Sequence, residues 1–180
     1  MGYDRYQAPL TTGRFLRGLS LFILLAGSAV SARSEASLQG RVSSLDPGAG
    51  RLELSGVRVV ISNAVILTET DTVLRVGDLK TGDRVDIRGA FVAPGVLAAT
   101  RVQRTLRDSD RLQGRNERTD AAARTLAVGG ITIKVPVNAR IEDAGAHALP
   151  LEQCATNQVL ICTGAWTGTN EFTASAITIP

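Results

Sequence analysis

The chain has 180 residues, 44% apolar and 21% charged, a balance that suits a folded protein and excludes a disordered one. Its net charge of +3 is unevenly placed: Arg5, Arg14 and Arg17 against Asp4 load the first 32 residues, leaving 17 basic and 16 acidic side chains beyond them. So neutral a body lacks the concentrated basic field of a dedicated nucleic-acid or anionic-membrane binder.

The first predicted element is a secretory signal over residues 1–32. Arg14 and Arg17 precede an apolar run centred on residues 19–26, and small residues end it in Ala-Val-Ser-Ala. Ala32 at −1 and Val30 at −3 fit the small pockets of signal peptidase, which places cleavage between Ala32 and Arg33. The uncharged stretch from Gly18 to Ala32 is 15 residues, whereas a membrane span wants about 20 predominantly apolar ones. Export with no stable membrane span in the mature form is therefore expected, to the periplasm or the medium. That compartment also argues against nucleic acid as a partner.

After a short segment, 33–37, the chain repeats itself. "LQGR" at 38–41 returns at 112–115, and an offset of 74 matches Leu52 with Leu126, Gly56 with Gly130, Val59 with Ile133, and Ile87 with Ile161. After one inserted residue an offset of 75 matches Gly89 with Gly164, Phe91 with Trp166, and Leu97 with Phe172. The matched positions are apolar or glycine, so packing has been kept while the surfaces drifted.

Within each copy the apolar period is two, which predicts strands. In chain order these are about 38–45, 50–55, 57–67, 83–92 and 96–104, then 112–119, 124–128, 130–141, 157–166 and 171–179. Parity shifts at Ser55-Gly56 and Gly129-Gly130 mark tight turns. A helical turn is expected before the fourth strand, ending at Gly82. The fold class is all-β: two tandem small five-stranded OB-like β-barrels after the signal peptide, the first over 38–105 and the second over 112–180. The charged stretch 106–111 between them reads as an exposed linker. Each copy is expected to hold its own core.

The first copy carries "DLKTGDRVDIRG" (78–89), a Gly-then-Val-x-Val strand before it, and a closing Leu-x-Ala-x-x-Val at 97–102. This pattern resembles the domain-of-unknown-function family 5666, found as single or tandem β units in exported bacterial proteins. The second copy departs from it, because "PLEQCATNQVLICTG" lacks the Gly-Asp pair. The resemblance implies fold and compartment. It implies no catalytic residue and no cofactor.

No constellation of residues points to a reaction. His147 is the sole histidine and sits in a loop, a poor support for a nucleophile–base pair. Asp78, Asp83 and Asp86, with Glu69 and Asp71, lack the spacing of a calcium loop. Asp78 and Asp83 are expected instead to bond backbone NH groups in the turns around Gly77 and Gly82. Phe91 lies on the apolar face with its counterpart Trp166, as core rather than as a stacking platform.

Cys154 and Cys162 are a disulfide candidate, because both would meet an oxidising compartment. At the 74 offset they fall opposite Lys80 and Arg88, both expected to be exposed. A straight strand would hold them too far apart, since bonded Cα atoms lie about 4.4–6.8 Å from each other. A bridge needs a fold-back before Asn157 or a bulge; free or intermolecular thiols are the alternative.

The expected function is a non-enzymatic binding or interaction module, its partner an envelope protein, a glycan or a small ligand. The alternative is an envelope hydrolase or metal-dependent enzyme with an unrecognised site. Loops 68–72 and 138–153 are the expected lips of any ligand site, the second being the longer.

Overall fold

The computed structural model describes residues 35–180. The signal peptide and the cleavage site at Ala32 and Arg33 lie outside these residues. What is described is all-β, fourteen strands and two 3₁₀ turns.

The first copy comprises β1 (Glu35–Arg41), β2 (Ser44–Asp46), β3 (Arg51–Leu54), β4 (Val57–Val60), β5 (Val65–Leu67), β6 (Arg84–Ala93) and β7 (Val96–Arg104). The second comprises β8 (Asp110–Arg115), β9 (Arg118–Asp120), β10 (Thr125–Val128), β11 (Ile131–Lys134), β12 (Arg140–Asp143), β13 (Val159–Gly168) and β14 (Glu171–Ile179). The 3₁₀ turns, Val76–Asp78 and Leu151–Gln153, precede β6 and β13. Four of the ten expected strands are thus each bent into two segments. At the first bend Val42 NH donates to Asp83 O at 2.9 Å and Ser43 NH to Glu53 O at 2.8 Å, so one strand leaves β6 and joins β3. The second bend, between β4 and β5, is a turn in which Ala64 NH donates to Ile61 O.

Pairing is the same in both copies. β3 lies antiparallel between β2 and β4, while β4 and β5 both run parallel to β7. β6 lies antiparallel between β7 and β1. The second copy repeats this with β9 to β14 and β8. Ser55 and Gly56, at φ +50° and +88°, form the β3–β4 turn, and Gly129 and Gly130, at +59° and +77°, the β10–β11 turn. Two successive positive φ angles are what a two-residue hairpin on twisted strands requires.

The expectation of two separate barrels needs correction. β1 and β8 pair antiparallel, and one hydrogen-bonded path runs from β2 to β9 through both copies. Leu38 pairs with its own repeat equivalent, Leu112, and the pair Ser37–Gln113 is mirrored by Gln39–Arg111. The join therefore has a local two-fold at Leu38–Leu112. Both leucines are wholly buried, and a single cluster of buried side chains contains members of both copies. The cores are not separate. The linker is also shorter than expected, since β8 already begins at Asp110.

The inserted residue lies earlier than the sequence alignment puts it. Ile66 pairs with Val102 and Ile141 with Ile177, while the 3₁₀ turns begin at Val76 and Leu151. The extra residue therefore falls in the turn between β11 and β12, and the offset is 75 from there onward. Loops 68–72 and 143–147, closed by the bridges Leu67–Val73 and Glu142–Ala148, then have matching lengths; the segment 138–153 only looked longer because it contains β12 and a 3₁₀ turn.

Candidate functional site

The corrected offset changes the reading of the cysteines. Cys154 occupies the place of Leu79 and Cys162 that of Ile87, and all four are buried. Both cysteines are core residues and not surface replacements. They are free thiols in the structure, so the expected bridge is not formed there. Burial pushes the Cys162 thiol up to about 12, with the neighbouring Cys154 adding to it. The Cys154 thiol is raised chiefly by burial and secondarily by Glu152. Thiols held protonated in this way are poor nucleophiles.

The predicted loops are tied down by their own side chains. Asp71 accepts from Arg101 at 2.7 Å and from Gln103 at 3.1 Å. Asp143 accepts the backbone NH groups of Gly145 (2.8 Å) and His147 (2.9 Å), and its Oδ2 lies 3.0 Å from His147 Nδ1. His147 is thus an exposed loop residue paired with a capping carboxylate. Asp78 accepts Arg75 NH at 2.8 Å and Asp83 accepts Lys80 NH at 2.9 Å, the turn roles expected of them. The second copy builds the latter turn from other residues: Asn157 takes the positive φ of Gly82, and Gln158 accepts Ala155 NH as Asp83 does for Lys80.

Phe91 and Trp166 reach across from one copy to the other. Trp166 Nε1 donates to Gln39 O at 3.0 Å, and a Cβ on Gly40 would come within 2.8 Å of it. Reciprocally, a Cβ on Gly129 would overlap the Phe91 ring. The hairpin ends are locked in the same two-fold manner: Gly95 NH donates to Gly129 O at 2.7 Å, and Asn170 NH donates to Ser55 O at 2.8 Å. Arg84 and Asp110, both largely buried, add an ion pair at 2.6 Å from β6 to β8. Absence of side chains at Gly40 and Gly129 is what lets the rings seat.

Gly40 and Leu38 are two apart on β1 and share a face, so the rings lie on the inner side of the shared sheet. The outer side carries a polar row, Gln103 on β7, Asp86 on β6, Gln39 on β1 and Arg111 on β8, each opposite the next. Over this row lies a cleft of about 560 Å³, walled by Glu69, Arg88, Arg104 and Thr105–Arg107 as well as Asp86, Gln103 and Arg111. Arg84 holds the linker beside it, donating through Nε to Arg107 O at 2.7 Å.

Sequence reasoning missed this site. Its signal was local: residues 84–118 hold eight arginines against four carboxylates, an excess that the neutral average of the whole body concealed. A second cleft, of about 460 Å³, lies on the second copy among Pro136, Asn138, Ala165, Thr167, Thr173 and Ser175 and carries no charged side chain.

Among the described residues no helix is long and apolar enough to cross a membrane. No curated protein and no solved structure matches the chain. Residues 39–103 match a family model, that of the Domain of unknown function (DUF5666). This interval runs from Gln39 in β1 to Gln103 in β7, so the similarity to that family spans the first copy.

Proposed function

We propose that the chain is an exported, non-enzymatic binding module of the bacterial envelope or medium, and that ligand is taken at the junction cleft where the two copies share a sheet. The observation that carries this reading is the cleft itself. It stands on rigid paired strands, which position side chains better than loops do, and its volume falls in the range of about 300–1,000 Å³ usual for small-ligand sites.

Each copy is read as a small barrel of OB type. In support, the strand that begins as β1 and bends into β2 meets both β6 and β3, bringing the five-strand order back on itself. The continuous path through β1 and β8 favours a second reading, a wound β-ribbon of solenoid type with about three turns. Against it, nine of the thirteen strand pairs are antiparallel, whereas the stacked turns of a parallel β-helix pair parallel strands.

A second reading of function, an envelope hydrolase or metal-dependent enzyme, is favoured by Glu69 and Asp86 lining the same cleft. The two carboxylates are already engaged, Glu69 with Arg104 and Asp86 with Ser37.

The test is an amide NMR titration of the ¹⁵N-labelled exported protein with a small-molecule envelope extract. Saturable shifts clustered at Arg88, Gln103, Arg104 and Arg111 are expected. Shifts confined to 68–72 and 144–149 would place binding on the loops and defeat the cleft. Consumption of an extract component by the wild type, absent in Glu69→Gln and Asp86→Asn, would establish the enzyme.

A further inference from the structure

We infer that the junction cleft is an oxyanion site, taking a small ligand with two or more carboxylate or phosphate groups; the inference rests on the binding-module reading above. Arg88, Arg104, Arg107 and Arg111 line the cleft against two carboxylates, Glu69 and Asp86. Arg88 and Arg107 are exposed and form no ion pair with a described residue. Arg104 pairs with Glu69, its Nε 3.5 Å from one carboxylate oxygen and its Nη2 donating to the other at 3.5 Å, and Asp86 accepts Ser37 Oγ at 3.2 Å.

The second observation is independent of charge. Among the described residues five buried side-chain polar atoms lack a hydrogen-bond partner, and three of them are Arg104 Nε, Arg111 Nε and Gln39 Nε2. All three are donors, all belong to the cleft lining or to the polar row beneath it, and Gln39 is only 3% exposed. A buried donor without an acceptor is costly and rare in folded proteins. Arg104 and Arg111 both line the cleft, where an acceptor-rich ligand supplies oxygens to the guanidinium groups, whereas a hydroxyl-rich one brings donors as well as acceptors.

The chemistry of the residues agrees. Guanidinium forks match planar carboxylate and phosphate oxygens in bidentate fashion, and 18 of the 20 basic residues of the chain are arginine. The three aromatic residues beyond residue 35, Phe91, Trp166 and Phe172, lie in the core or on the inner side of the sheet. A neutral sugar ring therefore finds no ring face to stack on in the cleft.

The experiment titrates the exported chain, by amide NMR at low salt, with citrate, with pyrophosphate and with maltose. Citrate or pyrophosphate is expected to shift the amides of Arg88, Gln103 and Arg111 saturably, the tighter of the two distinguishing carboxylate from phosphate. Affinity should fall about tenfold in Arg88→Gln and in Arg107→Gln, and fall again in about 0.5 M NaCl. Both substitutions are at exposed positions, and Arg140→Gln on the other copy should bind as wild type. No saturable shift with either anion up to about 10 mM, or unchanged affinity in both variants, would overturn the inference. Maltose alone shifting these amides would refute the oxyanion class yet leave the binding-cleft reading standing.

Discussion

Cys162 sits where the first copy has Ile87, and its thiol, pushed up to about 12 by burial, is almost wholly protonated at neutral pH. Iodoacetamide should therefore label neither cysteine of the native protein on the timescale that suffices for the unfolded chain, with mass spectrometry reading the two states. Rapid native labelling of Cys162 would contradict its place in the core. A covalent bridge between the two cysteines in the purified protein would show that the copy-two core rearranges. The Asp143 carboxyl gives a second reading at this scale. The backbone NH of His147 holds it below the ordinary aspartate range most strongly, followed by the His147 side chain, with Gly145 NH adding to the effect. A lowered folded value means the cap contributes above the unfolded value and is lost as pH falls through the folded one. The Gly145 and His147 amide signals should move with a midpoint below that of an ordinary aspartate; a midpoint at or above the ordinary one would contradict the capping role. The turn roles of Asp78 and Asp83 were legible because aspartate beside glycine has a short-range explanation. The burial of the cysteines was not, since a register error of one residue exchanges the two faces of a strand.

Hairpin turns at the element scale connect local backbone rules with the joining of the copies. Gly129 and Gly82 both have positive φ, but a Cβ on Gly129 would overlap the Phe91 ring while one on Gly82 would meet nothing within 4 Å. Gly82→Ala should therefore cost only the backbone strain, about 1 kcal/mol. Gly129→Ala should cost about 2–4 kcal/mol, because overpacking of an aromatic seat is added to the strain. Urea denaturation midpoints of the two variants check the order; equal losses would remove Phe91 from the account. The positions of the strands and of both glycine turns could be read from parity and composition. Their bends could not, because a strand that leaves β6 for β3 keeps its alternation while its partners change. The equivalence of Phe91 and Trp166 was also legible, but which copy each ring enters depends on pairing between β1 and β8, a long-range choice that no local pattern encodes.

At the largest scale, residues 35–180 form a fused pair. Its shared sheet, single core cluster, reciprocal aromatic seats and the Arg84–Asp110 ion pair all cross from one copy to the other. The sequence repeat announced two copies of one fold, and apolar matches alone made two separate barrels the natural expectation. The residues that join them, Gly40, Gly129, Phe91, Trp166 and Asp110, are individually unremarkable in the sequence and acquire their meaning only once Leu38 faces Leu112. The cleft on the outer side exists because of the same join, since its floor takes strands from both copies. Cooperative unfolding is the most direct test of this unity. Differential scanning calorimetry of the protein should give one transition whose van't Hoff and calorimetric enthalpies agree. Two resolved transitions, or a calorimetric enthalpy about twice the van't Hoff value, would mean that the copies unfold independently and that the shared sheet does not unite them.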